Sequence, residues 1–156
     1  MGVSLVYDAE QLHEALSLAA RYEPRIIVER LIEGRECQVG VLNGEVLPVI
    51  EIIPHEGFYD YATKYQKGRA EEICPAHLEP ALTKHLQETT LKVHNILKLG
   101  SYSRIDFRVD REGVAYCLEA NSLPGMTPAS LLPQEAAAAG IGYNDLCERI
   151  VRAAMK

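Results

Sequence analysis

Over residues 8–22, Leu12, Ala15, Leu16 and Ala19 recur at helical spacing behind Asp8, a residue type that caps helix starts. Pro24 ends the pattern, and Arg25–Arg30 (RIIVER) has the apolar centre of a buried strand. Two longer apolar runs follow, CQVGVL and EVLPVIEI, joined by Asn43-Gly44. Asn-Gly between such runs predicts a hairpin, because both turn residues need positive φ. Pro48 interrupts the second run and predicts an edge position or a bulge, since proline cannot donate to a ladder.

Residues 54–75 are polar and spotted with Tyr59, Tyr61 and Tyr65, without sustained periodicity. Ordered loops of that length are usually lids or binding loops. Residues 76–99 predict an amphipathic helix with Leu82, Leu86, Leu91, Val93, Ile96 and Leu97 as its core positions. A second hairpin is expected from SYSRIDFRVD, a turn at Arg111–Gly113, and VAYCLEAN. The turn-rich segment NSLPGMTPASLLP then leads to a last amphipathic helix over 143–155, with Leu146, Ile150 and Val151 inward. These elements predict an α+β (α/β) fold, a largely antiparallel sheet with helices packed on one face of it.

Composition narrows the classes. With 47% hydrophobic and 24% charged residues the balance is that of an ordinary globular protein. A net charge of −6 without any basic block argues against nucleic-acid and anionic-membrane partners, which both need a basic face. No apolar run approaches the roughly 20 residues of a membrane span, and no signal-peptide pattern opens the chain. Cys37, Cys74, Cys117 and Cys147 are widely spaced with no CxxC pair, as expected of reduced thiols in a cytoplasmic protein.

The second hairpin carries the candidate chemistry. Side chains alternate along a strand, so Arg104, Asp106, Arg108 and Asp110 share one face, and Ile105, Phe107 and Val109 the other. With the turn centred on Arg111 and Glu112, Arg104 faces Glu119 and Asp106 faces Cys117, which makes Glu119 and Asp106 diagonal neighbours roughly 7–8 Å apart. Two carboxylates and the Asn121 amide on one face form a hard-oxygen set suited to magnesium. Arg104 beside them could clamp a phosphate or a developing oxyanion. Alternating charges on a strand are more often just a solvated face, and spacing alone does not separate the two readings.

RIDF followed by LEANSLPGMTPASLLP resembles the signature of the D-alanine–D-alanine ligases of the ATP-grasp superfamily. IIVERLIEGRECQVGVL, FYDYATKY and ICPA resemble the same family in the same order, so the resemblance covers nearly the whole chain. It implies residues 1–30 as the tail of the central ATP-grasp lobe and 31–156 as the C-terminal metal- and substrate-binding lobe. It implies that Asp106, Glu119 and Asn121 hold two Mg2+ (or Mn2+) ions bridging ATP phosphates. Arg104 and the Gly125 amide would stabilise an oxyanion, and Ser130 and Leu131 would contact the carboxylate of the second D-alanine. Glu29, Arg30 and Ile32 would line the adenine pocket, Glu36 would take the ribose hydroxyls, and Tyr59 and Lys64 would close over phosphates and substrate. Read alone, Glu36 and Lys64 are ordinary surface residues, the tyrosines pack a loop, and Ser130 caps the helix at Leu131.

The implied activity is ATP-dependent joining of two D-alanines through an acyl phosphate, for cell-wall peptidoglycan precursors. The family's N-terminal domain, two ATP-contacting lysines and a serine- and glycine-rich phosphate loop have no counterpart in this sequence. The expectation is therefore weak ATP binding and no turnover by this chain alone, with the remaining ligase domains as partners and a homodimer as the family's usual assembly. Two other readings fit the sequence: an ATP-grasp ligase for a different pair, such as D-alanine with D-lactate, and a non-catalytic nucleotide- or metal-binding module.

Overall fold

A computed structural model describes residues 2–54 and 70–155. The chain divides into two compact units, Met1–Ile32 and Glu33–Lys156. In the first, α1 (Ala9–Ala19) starts at Asp8, whose side chain accepts from the Gln11 amide at 2.8 Å, as the capping pattern predicts. The strand expected over 25–30 does not form: these residues pair with no strand among the described residues, with Ile27 83% and Val28 68% exposed. The apolar run has strand composition, but a strand needs a neighbour for its backbone groups, and no described residue supplies one.

The second unit is an antiparallel sheet. Its strands are β1 (Gly34–Leu42), β2 (Glu45–Val46), β3 (Ile50–Pro54), β4 (Ala70–Ile73), β5 (Tyr102–Asp110) and β6 (Ala115–Asn121). The order is β4-β3-β1-β5-β6, with β2 paired to the end of β1. Asn43 and Gly44 take the positive φ angles the hairpin requires, 53° and 83°. Pro48 splits the second apolar run, ending β2 at Val46 so that β3 starts afresh at Ile50 beside both β1 and β4. The sequence gives little sign of β4, since AEEI lacks the apolar alternation of a half-buried strand.

Helices cover both faces of this sheet, not the single face expected from the sequence. On one face α2 (Pro80–Leu97) packs Leu86 against Cys37, Val39, Ile105, Phe107 and Val109. Full burial of each large side chain here stabilises the fold by roughly 1.5–3 kcal/mol. The helix turns Thr90 and His94 inward as well, where His94 Nδ1 meets Ser103 Oγ at 2.8 Å. Leu82 and Val93 pack at the border, whereas Ile96 and Leu97 point to solvent, so the inward stripe is more polar than the leucine spacing predicts.

On the opposite face α3 (Leu131–Ala138) and α4 (Tyr143–Ala154) gather Leu132, Ala136 and Leu146 over Leu42 and Leu47, while Leu131 seals Ile50 and Ile52. Ile150 joins this cluster, but Val151 is 58% exposed. None of the helices among the described residues is long and apolar enough to cross a membrane.

Candidate functional site

The hairpin of β5 and β6 forms, but with a different register from the one the sequence suggests. Asp106 pairs directly with Glu119 and Arg104 with Asn121, because a bulge between Asp106 and Phe107 leaves Leu118 unmatched. One extra residue on a strand shifts everything beyond it, which a turn-centred count cannot foresee. The effect is to bring the two carboxylates face to face instead of placing them on a diagonal.

The four side chains form one hydrogen-bonded cluster. Arg104 grips Asp106 with both ends of its fork, Nε to Oδ1 and Nη2 to Oδ2, each 2.8 Å. Asn121 Nδ2 donates to Glu119 Oε1 at 3.0 Å and lies 3.3 Å from Asp106 Oδ2. Arg104 and Asp106 are only 5% and 7% exposed, so this alternating strand is no solvated face. Helix α3 lies over it.

Burial, with Glu119 opposite, pushes the Asp106 carboxyl above its usual range, against the pull of Arg104. The Arg104 guanidinium is raised too: burial works against its charge, but Asp106, Glu135 and Glu119 outweigh it. Asp106 and Glu119 thus oppose each other across the ladder beside Arg104. Among the described residues no group of three His, Cys, Asp or Glu forms a metal cage; what converges is two carboxylates and an amide.

The same face extends along β1, where Glu36, Gln38 and Gly40 pair with Arg108, Asp106 and Arg104. Glu36 is held by Arg108 Nη1 at 3.2 Å. Beyond Asn121 the chain runs into the loop before α3. Ser130 occupies the cap position, but its hydroxyl turns back, accepting from the Thr127 amide at 3.1 Å and meeting Thr127 Oγ1 at 2.8 Å. Gly125 sits tight against it: a Cβ there would fall 2.9 Å from Ser130 Oγ. Leu131 buries its side chain among Ile50 and Ile52, leaving its backbone as the part that can meet a ligand.

Of the residues singled out from the sequence, Arg104, Asp106, Glu119 and Asn121 therefore meet, Glu36 shares their face, and Gly125, Ser130 and Leu131 share one loop and helix start. Glu29, Arg30 and Ile32 belong to the other unit. Tyr59 and Lys64, with Tyr61 and Tyr65, lie outside the described residues.

Sequence reasoning missed Glu135. It is fully buried on α3 and accepts from the Gly40 amide at 3.0 Å, while its other oxygen has no hydrogen-bond partner among the described atoms. Buried Gln38 likewise keeps its Oε1 unpaired. The available signal was Gly40 itself, since a glycine inside a strand often marks a close approach by another element. Burial pushes the Glu135 carboxyl well above its usual range, outweighing the Gly40 amide and Arg104.

A pH dependence follows. A carboxyl raised in the folded state favours the protonated form, so its contribution is complete below about pH 4 and is lost as pH rises. Glu135→Gln keeps the shape and an acceptor but cannot ionise. It is expected to melt higher than the parent at pH 7.5, with the advantage gone below about pH 4. Equal melting temperatures at pH 7.5 would show that ionised Glu135 carries no penalty.

A sheet covered by helices on both faces, with an Arg–Asp–Glu–Asn cluster whose Arg104–Asp106 half is buried, is the architecture of an ATP-grasp C-terminal lobe. It superposes with a TM-score of 0.84 on the crystal structure of D-alanine–D-alanine ligase from Bacillus anthracis complexed with ATP, at 34% identity, over 99% of this chain and 51% of that one. Residues 1–152 match the family described as D-ala D-ala ligase C-terminus, and the chain belongs to that family. The D-alanine–D-alanine ligase of Geobacter sulfurreducens is 47% identical over 152 residues, covering 97% of this chain and 48% of the relative. That of Methylacidiphilum infernorum is 42% identical over 151 residues, covering 97% and 50%. The chain thus spans about half the length of the curated relatives it matches.

Proposed function

We propose that this chain is the metal- and substrate-binding half of an ATP-dependent ligase that joins two D-alanines. The observation that carries the reading is the cluster in which buried Arg104 and Asp106 meet the more exposed Glu119 and Asn121 at the start of the Ser122–Ser130 loop. Residues 1–30 are read as the tail of a central lobe, and 31–156 as the C-terminal lobe.

The cluster fits a magnesium site by charge and donor type. Asp106 and Glu119 face each other beside Arg104, and a divalent cation relieves the repulsion between the two carboxylates. A half-turn of the Asn121 amide presents its oxygen in place of its nitrogen. Bound there, magnesium would neutralise charge on the ATP phosphates.

In this reading the γ-phosphoryl group passes to the carboxylate of the first D-alanine and ADP leaves. The amine of the second D-alanine then attacks the acyl carbon, loses a proton, and displaces phosphate. Arg104 and the Gly125 amide stabilise the oxyanion of that second step. Ser130 and the amide of Leu131 hold the carboxylate of the incoming D-alanine, at a helix start whose first amides have no partner within the helix. Glu36, beside Arg108, takes the ribose hydroxyls. Glu29, Arg30 and Ile32 line the adenine site, and Tyr59 and Lys64 close over phosphates and substrate, excluding water from the acyl phosphate.

Alone, the chain binds ATP weakly and does not ligate, because much of the phosphate grip belongs to the half that the relatives add. The test is to join the chain to the uncovered N-terminal half of the Geobacter sulfurreducens enzyme. With ATP, magnesium and D-alanine, D-alanyl-D-alanine, ADP and phosphate are expected in equal amounts. A folded fusion that makes no dipeptide, beside an active parent enzyme, would overturn the assignment. Dipeptide from the unfused chain would overturn its expected inactivity.

A further inference from the structure

We propose that Glu135 is a positioning residue: by holding Gly40 of β1, it sets α3, Ser130 and the loop before it at the level of Arg104. The inference rests on reading that loop as a substrate contact, and it assigns the buried carboxyl a role within the same site.

Three observations support it. First, the bond from the Gly40 amide to Glu135 Oε1 spans 95 residues and lands on the strand position paired with Arg104. The helix is therefore tied to the sheet beside the guanidinium. Ser130 lies five residues before Glu135, or roughly 7–8 Å along a helical path, so anchoring one end of so short a helix fixes the other.

Second, the seat is tight. A Cβ on Gly40 would fall 2.5 Å from Leu132 Cδ1, 2.7 Å from Glu135 Oε2 and 3.0 Å from Leu47 Cδ1. Only a hydrogen fits, so α3 lies on the sheet at one height and cannot settle elsewhere without strain.

Third, a carboxyl is a poor choice if stability is all that is at stake. Glu135 is wholly buried with one oxygen unpartnered among the described residues, and a leucine of similar size would seal α3 without that penalty. What a leucine lacks is a directional bond to the strand, which Glu135 supplies.

The test compares Glu135→Gln and Glu135→Leu. In backbone hydrogen exchange on this chain, Glu135→Leu is expected to speed exchange at Gly40 and across 122–132 by about tenfold or more, leaving Leu86–His94 of α2 unchanged, while Glu135→Gln matches the parent. In the fused enzyme, Glu135→Leu is expected to raise KM for the acceptor D-alanine by about tenfold, with kcat and KM for ATP within about twofold; glutamine restores the parent value.

Unchanged exchange, exchange rising alike on both faces, or failure of glutamine to restore the D-alanine KM would each overturn the proposal. If Glu135→Leu does not fold, Gly40→Ala replaces it, since it displaces α3 while leaving the carboxyl in place. The same selective changes are then expected, and their absence counts against the proposal. A fusion without ligase activity removes the functional reading instead, and the exchange pattern alone then decides the positioning role.

Discussion

Asp106→Asn is expected to lower ligation by the fused enzyme at least about 10²–10³-fold, the loss seen when one preorganised electrostatic partner is removed from an acyl-transfer site. The same change should remove magnesium-dependent ATP binding by the chain in calorimetric titration. The fold should survive. Removing one member of a buried ion pair usually destabilises by about 3–5 kcal/mol, because the other charge is stranded. Here Arg104 is not stranded, since Glu119 also acts on it. Asparagine also keeps the outline of the side chain, and the ionised form of Asp106 is already disfavoured by burial and by Glu119. The melting temperature should therefore stay within a few degrees of the parent, about what 1 kcal/mol moves a domain of this size. Large loss of ligation with an intact melt is the signature of a functional carboxylate. Equal loss of both would make Asp106 a structural residue and undercut the proposed site.

The largest effect on folding is expected at Gly34. Its φ of 149° lies where side chains are rarely tolerated, and a Cβ there would fall 2.0 Å from the Val109 carbonyl oxygen and 2.9 Å from Asp110 Cα. Those contacts are backbone, so no side chain can swing aside. Gly34→Ala must either pull β1 away from the end of β5 or rebuild the turn before it, at a cost of about 3 kcal/mol or more. The melting temperature should drop by roughly 10 °C, and the Arg108–Glu36 pair next along the ladder should loosen with it. A variant that melts with the parent would mean that the Gly34 backbone relaxes freely, and that β1 and β5 do not need this approach.

Much of the fold could be read from residue order. The Asn-Gly hairpin, the cap at Asp8 and the β5–β6 hairpin rest on short-range chemistry, and short-range chemistry is written in adjacent residues. The cluster of Arg104, Asp106, Glu119 and Asn121 could be anticipated because alternation fixes which residues share a face. Its register could not, because the bulge at Leu118 gains its reason only when the strands pair. The burial of that face was hidden for a similar cause: nothing in RIDFRVD says that α3 will cover it. Glu135 reads as a surface glutamate in QEAAAAG until Gly40 meets it across 95 residues. Strand β4 and the inward Thr90 and His94 follow the same rule, since their partners lie far along the chain. The apolar 25–30 segment shows the converse, a strand-like composition without a partner among the described residues to realise it.

The two coverings of the sheet should age differently under random substitution. Beneath α2 the contacts are mostly interchangeable aliphatic surfaces, which accept volume-conserving swaps at under about 1.5 kcal/mol. Beneath α3 the sheet carries a guanidinium, several carboxyls, an amide and a hydrogen-sized gap at Gly40, each answering to a specific neighbour. A saturation library selected only for soluble expression should therefore drift widely at Leu86, Val39 and Ile105, and should also collect neutral replacements of Glu135 and Asp106, where removing a buried charge eases folding. A library selected for ligation should reject those same replacements. The gap between the two tolerance maps would trace the outline of the working face without any bound ligand.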